Sequence, residues 1–277
     1  MSYIDALILG LIQGLAEFFP ISSSGHLKLA ENIMELKPQI FYDILLHLAT
    51  LVAVVYFYRK EVVSLVVSFL NGLPKIAAAG RGAFWREDAN FRFACYIIAG
   101  SFPTAIIGYA GKKLFANAFD DPQNGVLYVA FSLIGTTLVV GSTYFIKSDG
   151  GAKLNVWRAL IVGSAQGLSA AFRGLSRSGS TMTACLWMGV KREEAARFSF
   201  ILSIPAILGA AAAHLKEIDS VSASQIGPMA VGFAVATATA FFSLVFLTAI
   251  IKKGRLYIFA PYTLLAAAAA IAFWASR

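Results

Sequence analysis

Three small groups of polar residues interrupt a chain that is otherwise strongly apolar, and their types suit phosphate chemistry. Gln13 and Glu17 stand four apart, so a helix would carry both on one face. Ser22, Ser23, Ser24, Gly25 and His26 follow Pro20 closely: a hydroxyl cluster, a glycine that permits an unusual backbone turn, and an imidazole. Far along the chain Ser176, Arg177, Ser178, Gly179 and Thr181 form a second hydroxyl-rich tip around a guanidinium. Ser23 and His26 are spaced as a nucleophile and its base could be, with the Glu17 carboxylate nearby. Arg177, set in apolar sequence, should face an anion. Glu17 is one candidate and a phosphate, which guanidinium binds bidentately, is the other. Backbone N–H groups at a helix start after each tip would add anion affinity. Carboxylate, hydroxyl, imidazole and guanidinium together point to phosphoryl chemistry on a lipid-borne phosphate, or to anion transport.

The elements that must hold these groups are membrane helices. The 277 residues are 58% apolar and only 14% charged, against about 45–50% and about 25% in soluble domains. Mean hydropathy is +0.71. Disorder and a soluble globule are both excluded. Net charge is +8, but the Lys and Arg residues lie between apolar runs and form no single patch, which excludes a nucleic-acid partner. The N-terminus carries Asp5 and no positive region, so no cleaved signal peptide is expected. Cys95 and Cys185 sit inside apolar runs and predict neither a disulfide nor a metal site.

A span needs about 20 apolar residues to cross about 30 Å of hydrocarbon. Six runs meet or approach that length: 41–58, 93–111, 126–146, 198–213, 229–251 and 256–275, with Pro205 a source of kinking in the fourth. Two other regions are too short to cross. One runs from Tyr3 to Phe19 and is stopped by Pro20, since proline disfavours helical geometry in the residue before it. The other runs from Trp157 to Phe172, breaks at 173–179 and resumes from Ser180 to Val190. Each reads as a re-entrant pair of half-helices, tolerated at membrane depth only where buried in protein or lining a wet cavity. The stretch 62–79 reads as an interfacial helix and 80–90 as a charged loop. Asp43 and His47, an i,i+4 pair in a span, could hold a metal or make interhelical hydrogen bonds, the latter being the stronger reading.

The two re-entrant regions resemble each other. Residues 6–15 align with 159–168 at seven identical positions of ten, and with one residue inserted Ser22–Gly25 aligns with Ser176–Gly179. The expected fold is therefore an all-α integral membrane protein, one domain over 1–277 built as an inverted repeat of 1–150 and 151–277. Each half has one re-entrant helix pair and three transmembrane helices. Three crossings per half invert the second. Loops on the side opposite the N-terminus then carry 15 Lys and Arg residues, against 6 on the N-terminal side. That excess places the former side in the cytoplasm and both termini outside. The two tips enter from opposite faces and can meet near the midplane, as in transporters.

The motifs also resemble a known family. Gln13 to His26, read Gln-Gly-Leu-Ala-Glu-Phe-Phe-Pro-Ile-Ser-Ser-Ser-Gly-His, is similar to the first signature of the undecaprenyl-diphosphate phosphatase family, the bacitracin-resistance BacA type. Leu175 to Thr181 resembles the second signature, and 41–50 and 198–205 resemble further family segments. The resemblance implies a hydrolase that converts undecaprenyl (polyprenyl) diphosphate to the monophosphate, recycling the carrier for cell-wall synthesis. A lipid-phosphate flippase or anion transporter using the same site is the alternative. By position, Gln13 and Glu17 match an (E/Q)xxxE motif, Ser23 and His26 the nucleophile and base, and Ser176, Arg177 and Ser178 the second phosphate-binding tip. Glu17, Ser23, His26 and Arg177 are thus the expected catalytic set. Gln13, Ser22, Ser24, Gly25, Ser176, Ser178, Gly179 and Thr181 are the expected substrate contacts. The resemblance also implies a divalent cation, Mg²⁺ or Ca²⁺, with Glu17 as its ligand. It implies a multi-pass protein of the bacterial cytoplasmic membrane with its site open to the periplasm, and leaves a homodimer open. The chain departs from the family's Pro-Gly-x-Ser-Arg-Ser-Gly pattern at Arg173, which could bind another phosphate or face the cytoplasm.

Overall fold

The computed structural model describes residues 1–36, 40–79, 88–147, 149–214 and 222–276, with side chains of 75–79 left aside. Most of the charged loop expected at 80–90 lies outside the described residues, as do Lys37, Lys216 and Arg277 of the charge count. The described residues form eleven α-helices. The first half contains α1 (Tyr3–Ala16), α2 (Ser23–Ile33), α3 (Ile40–Phe57), α4 (Arg59–Ala79), α5 (Ala89–Asp120) and α6 (Gly125–Gly141). The second contains α7 (Val156–Ala171), α8 (Arg177–Trp187), α9 (Arg192–Ala213), α10 (Ala223–Lys252) and α11 (Ala260–Ala275).

Among the described residues six helices are long and apolar enough to cross a membrane: α3, α5, α6 with its 3-10 extension to Phe145, α9, α10, and α11 with its 3-10 lead-in from Leu256. They coincide with the six apolar runs. The chain is an all-α, multi-pass membrane protein. Pro205 lies inside α9, as expected. Helix α4 exposes Val63, Val66, Val67, Leu70 and Leu73 along one stripe, the pattern an interfacial helix needs.

The short helices begin with side-chain caps. Ser2 and Asp5 form a capping box on α1, and Asn155 caps α7 by accepting from Arg158 N. Helix α1 ends at Ala16, ahead of the expected Phe19, and the chain turns through 17–22 before α2. Helix α1 lies along α10, and α7 along α5, so each short helix rests on a long helix from the other half of the chain. Both contacts are made backbone to backbone. A Cβ on Gly10 would sit 2.6 Å from the Gly232 carbonyl oxygen, and one on Gly100 would sit 2.9 Å from that of Ala159. Small residues let membrane helices approach this closely, where dispersion contacts replace the missing hydrophobic drive. The remaining core is aromatic and aliphatic: Phe18 meets Phe200 edge-on at 5.5 Å, and Phe93 meets Phe198 at 5.6 Å.

Candidate active site

The first break is pinned from both sides. Phe18 is fully buried and Phe19 stacks on Phe259 at 5.3 Å. Their anchoring fixes Glu17 at the end of α1, where its side chain points to the second half. The unusual backbone falls on Ser22, at φ +71°, and not on Gly25, which is helical. Ser22 caps α2 by accepting from Gly25 N at 3.3 Å. Gly25 is required by proximity: a Cβ there would lie 3.0 Å from Gly174 Cα, so the two tips touch at their glycines.

The second break mirrors these features. Ser176 caps α8 by accepting from Gly179 N at 3.1 Å, and Gly174 supplies the left-handed turn at φ +107°. Thr136 on α6 holds the tip. Its hydroxyl donates to Gly174 O at 2.7 Å and accepts from Ser176 N at 2.8 Å. Ser178 Oγ donates to Phe19 O at 3.4 Å, and Thr181 Oγ1 bonds Arg177 O at 2.8 Å and Ser199 Oγ at 2.5 Å. Ser178, Gly179 and Thr181 therefore shape the tip from behind.

Glu17 is the centre of the site. Its Oε1 accepts from Arg177 Nη2 at 2.6 Å. Its Oε2 accepts from Ser23 Oγ at 2.6 Å and from Gln13 Nε2 at 3.0 Å. His47 Nε2 lies 3.6 Å from the same oxygen. Gln13 is fully buried; its Nε2 braces Glu17 and its Oε1 has no hydrogen-bond partner. Arg177 leaves Nη1 buried and without a partner.

A cavity of about 390 Å³ opens beside this cluster. Glu17, Ser22, Ser23, Ser24, Ser176 and Arg177 line it; Gln13, Gly25, His26, Ser178, Gly179 and Thr181 do not. His26 is turned away. Its Nδ1 lies 2.8 Å from Ser22 O, its Nε2 lies 2.9 Å from Tyr262 OH, and its ring stacks on that tyrosine. The structure therefore pairs Ser23 with Glu17 and not with the histidine three residues on. Of the Asp43 and His47 pair, His47 reaches Glu17, and Asp43 lines the cavity with its Oδ1 unpartnered.

Several cavity groups carried no motif. Lys28 and Glu31 belong to α2, are 8% and 6% exposed, and line the wall; Lys28, one of the six Lys and Arg residues of the N-terminal side, is therefore a buried helix residue and not a loop charge. Their signal was two ionisable residues three apart in a membrane segment. Arg173 also lines the wall and pairs with Asp120 at 2.7 Å, at the end of α5. Lys112 and His214 contact each other at 2.7 Å, and both line the cavity. No sequence pattern marks contacts that join residues so far apart.

As a divalent-cation ligand Glu17 would act beside the donors it already holds, Arg177 on Oε1 and Ser23 and Gln13 on Oε2; among the described residues no three His, Cys, Asp or Glu side chains gather.

Residues 6–269 match the family model described as bacitracin resistance protein BacA. Similar proteins named undecaprenyl-diphosphatase occur in Desulfatibacillum aliphaticivorans, 38% identical over 268 residues, and in Carboxydothermus hydrogenoformans, 38% identical over 267. A third, from Desulforapulum autotrophicum, is 37% identical over 271. The alignments cover 95% of this chain and 94–95% of each relative. With the match running over nearly its whole length, the chain belongs to the bacitracin resistance protein BacA family.

Proposed function

We propose that this protein is a membrane phosphatase that hydrolyses undecaprenyl diphosphate to the monophosphate, returning the lipid carrier to cell-wall synthesis. The observation that carries the reading is Arg177. One arm of its guanidinium is tied to Glu17, and the other is buried with no partner on a cavity that Ser23 also lines. A buried donor left unmade costs about 1–3 kcal/mol, more for a charged group, and a phosphate oxygen would satisfy it.

Ser23 Oγ attacks the terminal phosphorus and passes its proton to Glu17 Oε2, to which it is already bonded. Arg177 and the amides at the start of α8 neutralise the phosphoryl oxygens. Water then releases phosphate from Ser23. A divalent cation would enter on the diphosphate's own oxygens, since Mg²⁺ commonly keeps waters and substrate phosphates among its ligands.

The inverted repeat places this chemistry. It is supported by the paired caps at Ser22 and Ser176 and by the exchange of α1 and α7 onto α10 and α5. The outward opening is supported by Asp120 and His214, which line the cavity from the ends of α5 and α9, and by Lys112, two turns before the end of α5, all on the Lys/Arg-poor side. The bacterial cytoplasmic membrane with a periplasmic mouth is the matching location. Detergent-purified protein given a C55 or C15 diphosphate should release inorganic phosphate. Absence of release with specific lipid binding retained would favour a carrier.

A further inference from the structure

We infer that His47 is the acid–base residue of this site: it gives a proton to the departing lipid phosphate and takes one from the water that follows. The inference rests on the phosphatase reading above. His47 Nδ1 lies 2.7 Å from the carbonyl oxygen of Asp43, one turn back on α3. A carbonyl only accepts, so Nδ1 carries a hydrogen and Nε2 is the nitrogen free for chemistry. Nε2 lies 3.6 Å from Glu17 Oε2, the oxygen that holds Ser23 Oγ at 2.6 Å. The imidazole is on the cavity wall with 31% of its side chain exposed. His26 has both nitrogens occupied and is not on that wall. An imidazole is suited to move protons in both directions near neutral pH, whereas Glu17 is held by Arg177, Gln13 and Ser23.

The protons balance over two steps that start with a hydrogen on both nitrogens of His47. Ser23 Oγ bonds to the terminal phosphorus and its proton goes to Glu17 Oε2. The bridging P–O bond breaks, and the lipid phosphate leaves with its electron pair and the Nε2 proton of His47. Water then attacks the phosphoserine phosphorus and gives a proton to His47 Nε2. The Ser23 Oγ–P bond breaks, and Oγ recovers its proton from Glu17. The sum is addition of water across the anhydride, with every side chain restored.

Other charged groups share the cavity. Glu17 and Arg177 face His47 across the breaks; Asp43 stands on its own helix, and Lys28 and Glu31 of α2 and Arg173 of the second tip line the same cavity. His214, paired with Lys112, is a second imidazole on the wall.

The test uses full-length protein in detergent with farnesyl diphosphate labelled with ³²P in its terminal phosphate. The wild type, His47→Gln and His47→Ala are compared across pH. General acid–base catalysis contributes about 10²–10⁴-fold, so His47→Gln should lower kcat by about 10²–10³-fold. It should also remove a limb of the pH profile, keep affinity for an uncleavable methylene-bridged analogue, and accumulate ³²P on Ser23. Turnover of His47→Gln within about threefold of wild type with the limb intact would overturn the assignment. So would loss of the limb in His214→Gln while His47→Gln keeps it. Equal loss of analogue binding and activity in both His47 variants, without label, would also overturn it, by showing a purely structural part. A wild type that releases no phosphate would remove the phosphatase reading itself, and the control lane separates that case.

Discussion

Arg177, at the start of α8, donates to Glu17, at the end of α1, over 2.6 Å and across 160 residues of chain. The pair joins the two breaks and spends one charge of each. What remains is an unmatched guanidinium arm facing a cavity, which is the feature a phosphate would complete.

Arg177→Lys keeps the charge and loses the fork, so Nη1 and Nη2 can no longer serve phosphate and Glu17 together. Activity should fall by about tenfold to a thousandfold, the range typical of removing one electrostatic stabiliser. Initial rates of phosphate release at saturating substrate measure this. Near-wild-type rates would leave Arg177 a structural partner of Glu17.

Ser23→Ala separates covalent catalysis from direct attack by water. Covalent catalysis predicts near-complete loss of turnover with analogue binding retained, because Glu17 and Arg177 stay in place. A modest loss would favour a water activated by Glu17.

Thr136→Val deletes the one hydroxyl that satisfies both Gly174 O and Ser176 N. Two buried backbone groups lose their partner, at about 1–3 kcal/mol each. The variant should unfold at lower temperature in detergent and lose activity, and Thr136→Ser should restore both. A thermal melt with parallel turnover assays decides it.

Topology can be read with thiol labelling in intact cells. A cysteine at Gln123, exposed in the loop after α5, should react with an impermeant reagent. One at Gly151, which has open space around it, should react only after lysis. The reverse pattern would invert the assigned orientation.

The sequence by itself determined the membrane class and the spans. Six apolar runs of sufficient length can satisfy their backbones in lipid only as helices, whatever packs around them. Pro20 and the glycine- and serine-rich stretch from 173 likewise marked the two breaks, although α8 resumes at Arg177 and not at the expected Ser180. The likeness of 6–15 to 159–168 aligns Gly10 with Gly163, and both sit at close backbone approaches, to Gly232 and Gly100. Glu17, Ser23 and Arg177 were legible because charged and hydroxyl groups in such surroundings need partners.

Which partners they take was decided only in three dimensions. Local spacing offered His26 to Ser23, but the turn at Ser22 aims His26 toward Tyr262 and leaves the Ser23 hydroxyl to Glu17. His47 lies 30 residues from Glu17 in sequence and reaches it because α3 passes beside the first break. Thr136 supports a tip whose residues lie 38 and 40 positions away. Lys28, Glu31 and Arg173 gain their place on the cavity wall from helix rotation and from the meeting of two tips. Hydropathy and spacing act along one element at a time, so they specify helices and breaks. The direction of a side chain across a cavity depends on how those helices pack, and only the tertiary structure sets that.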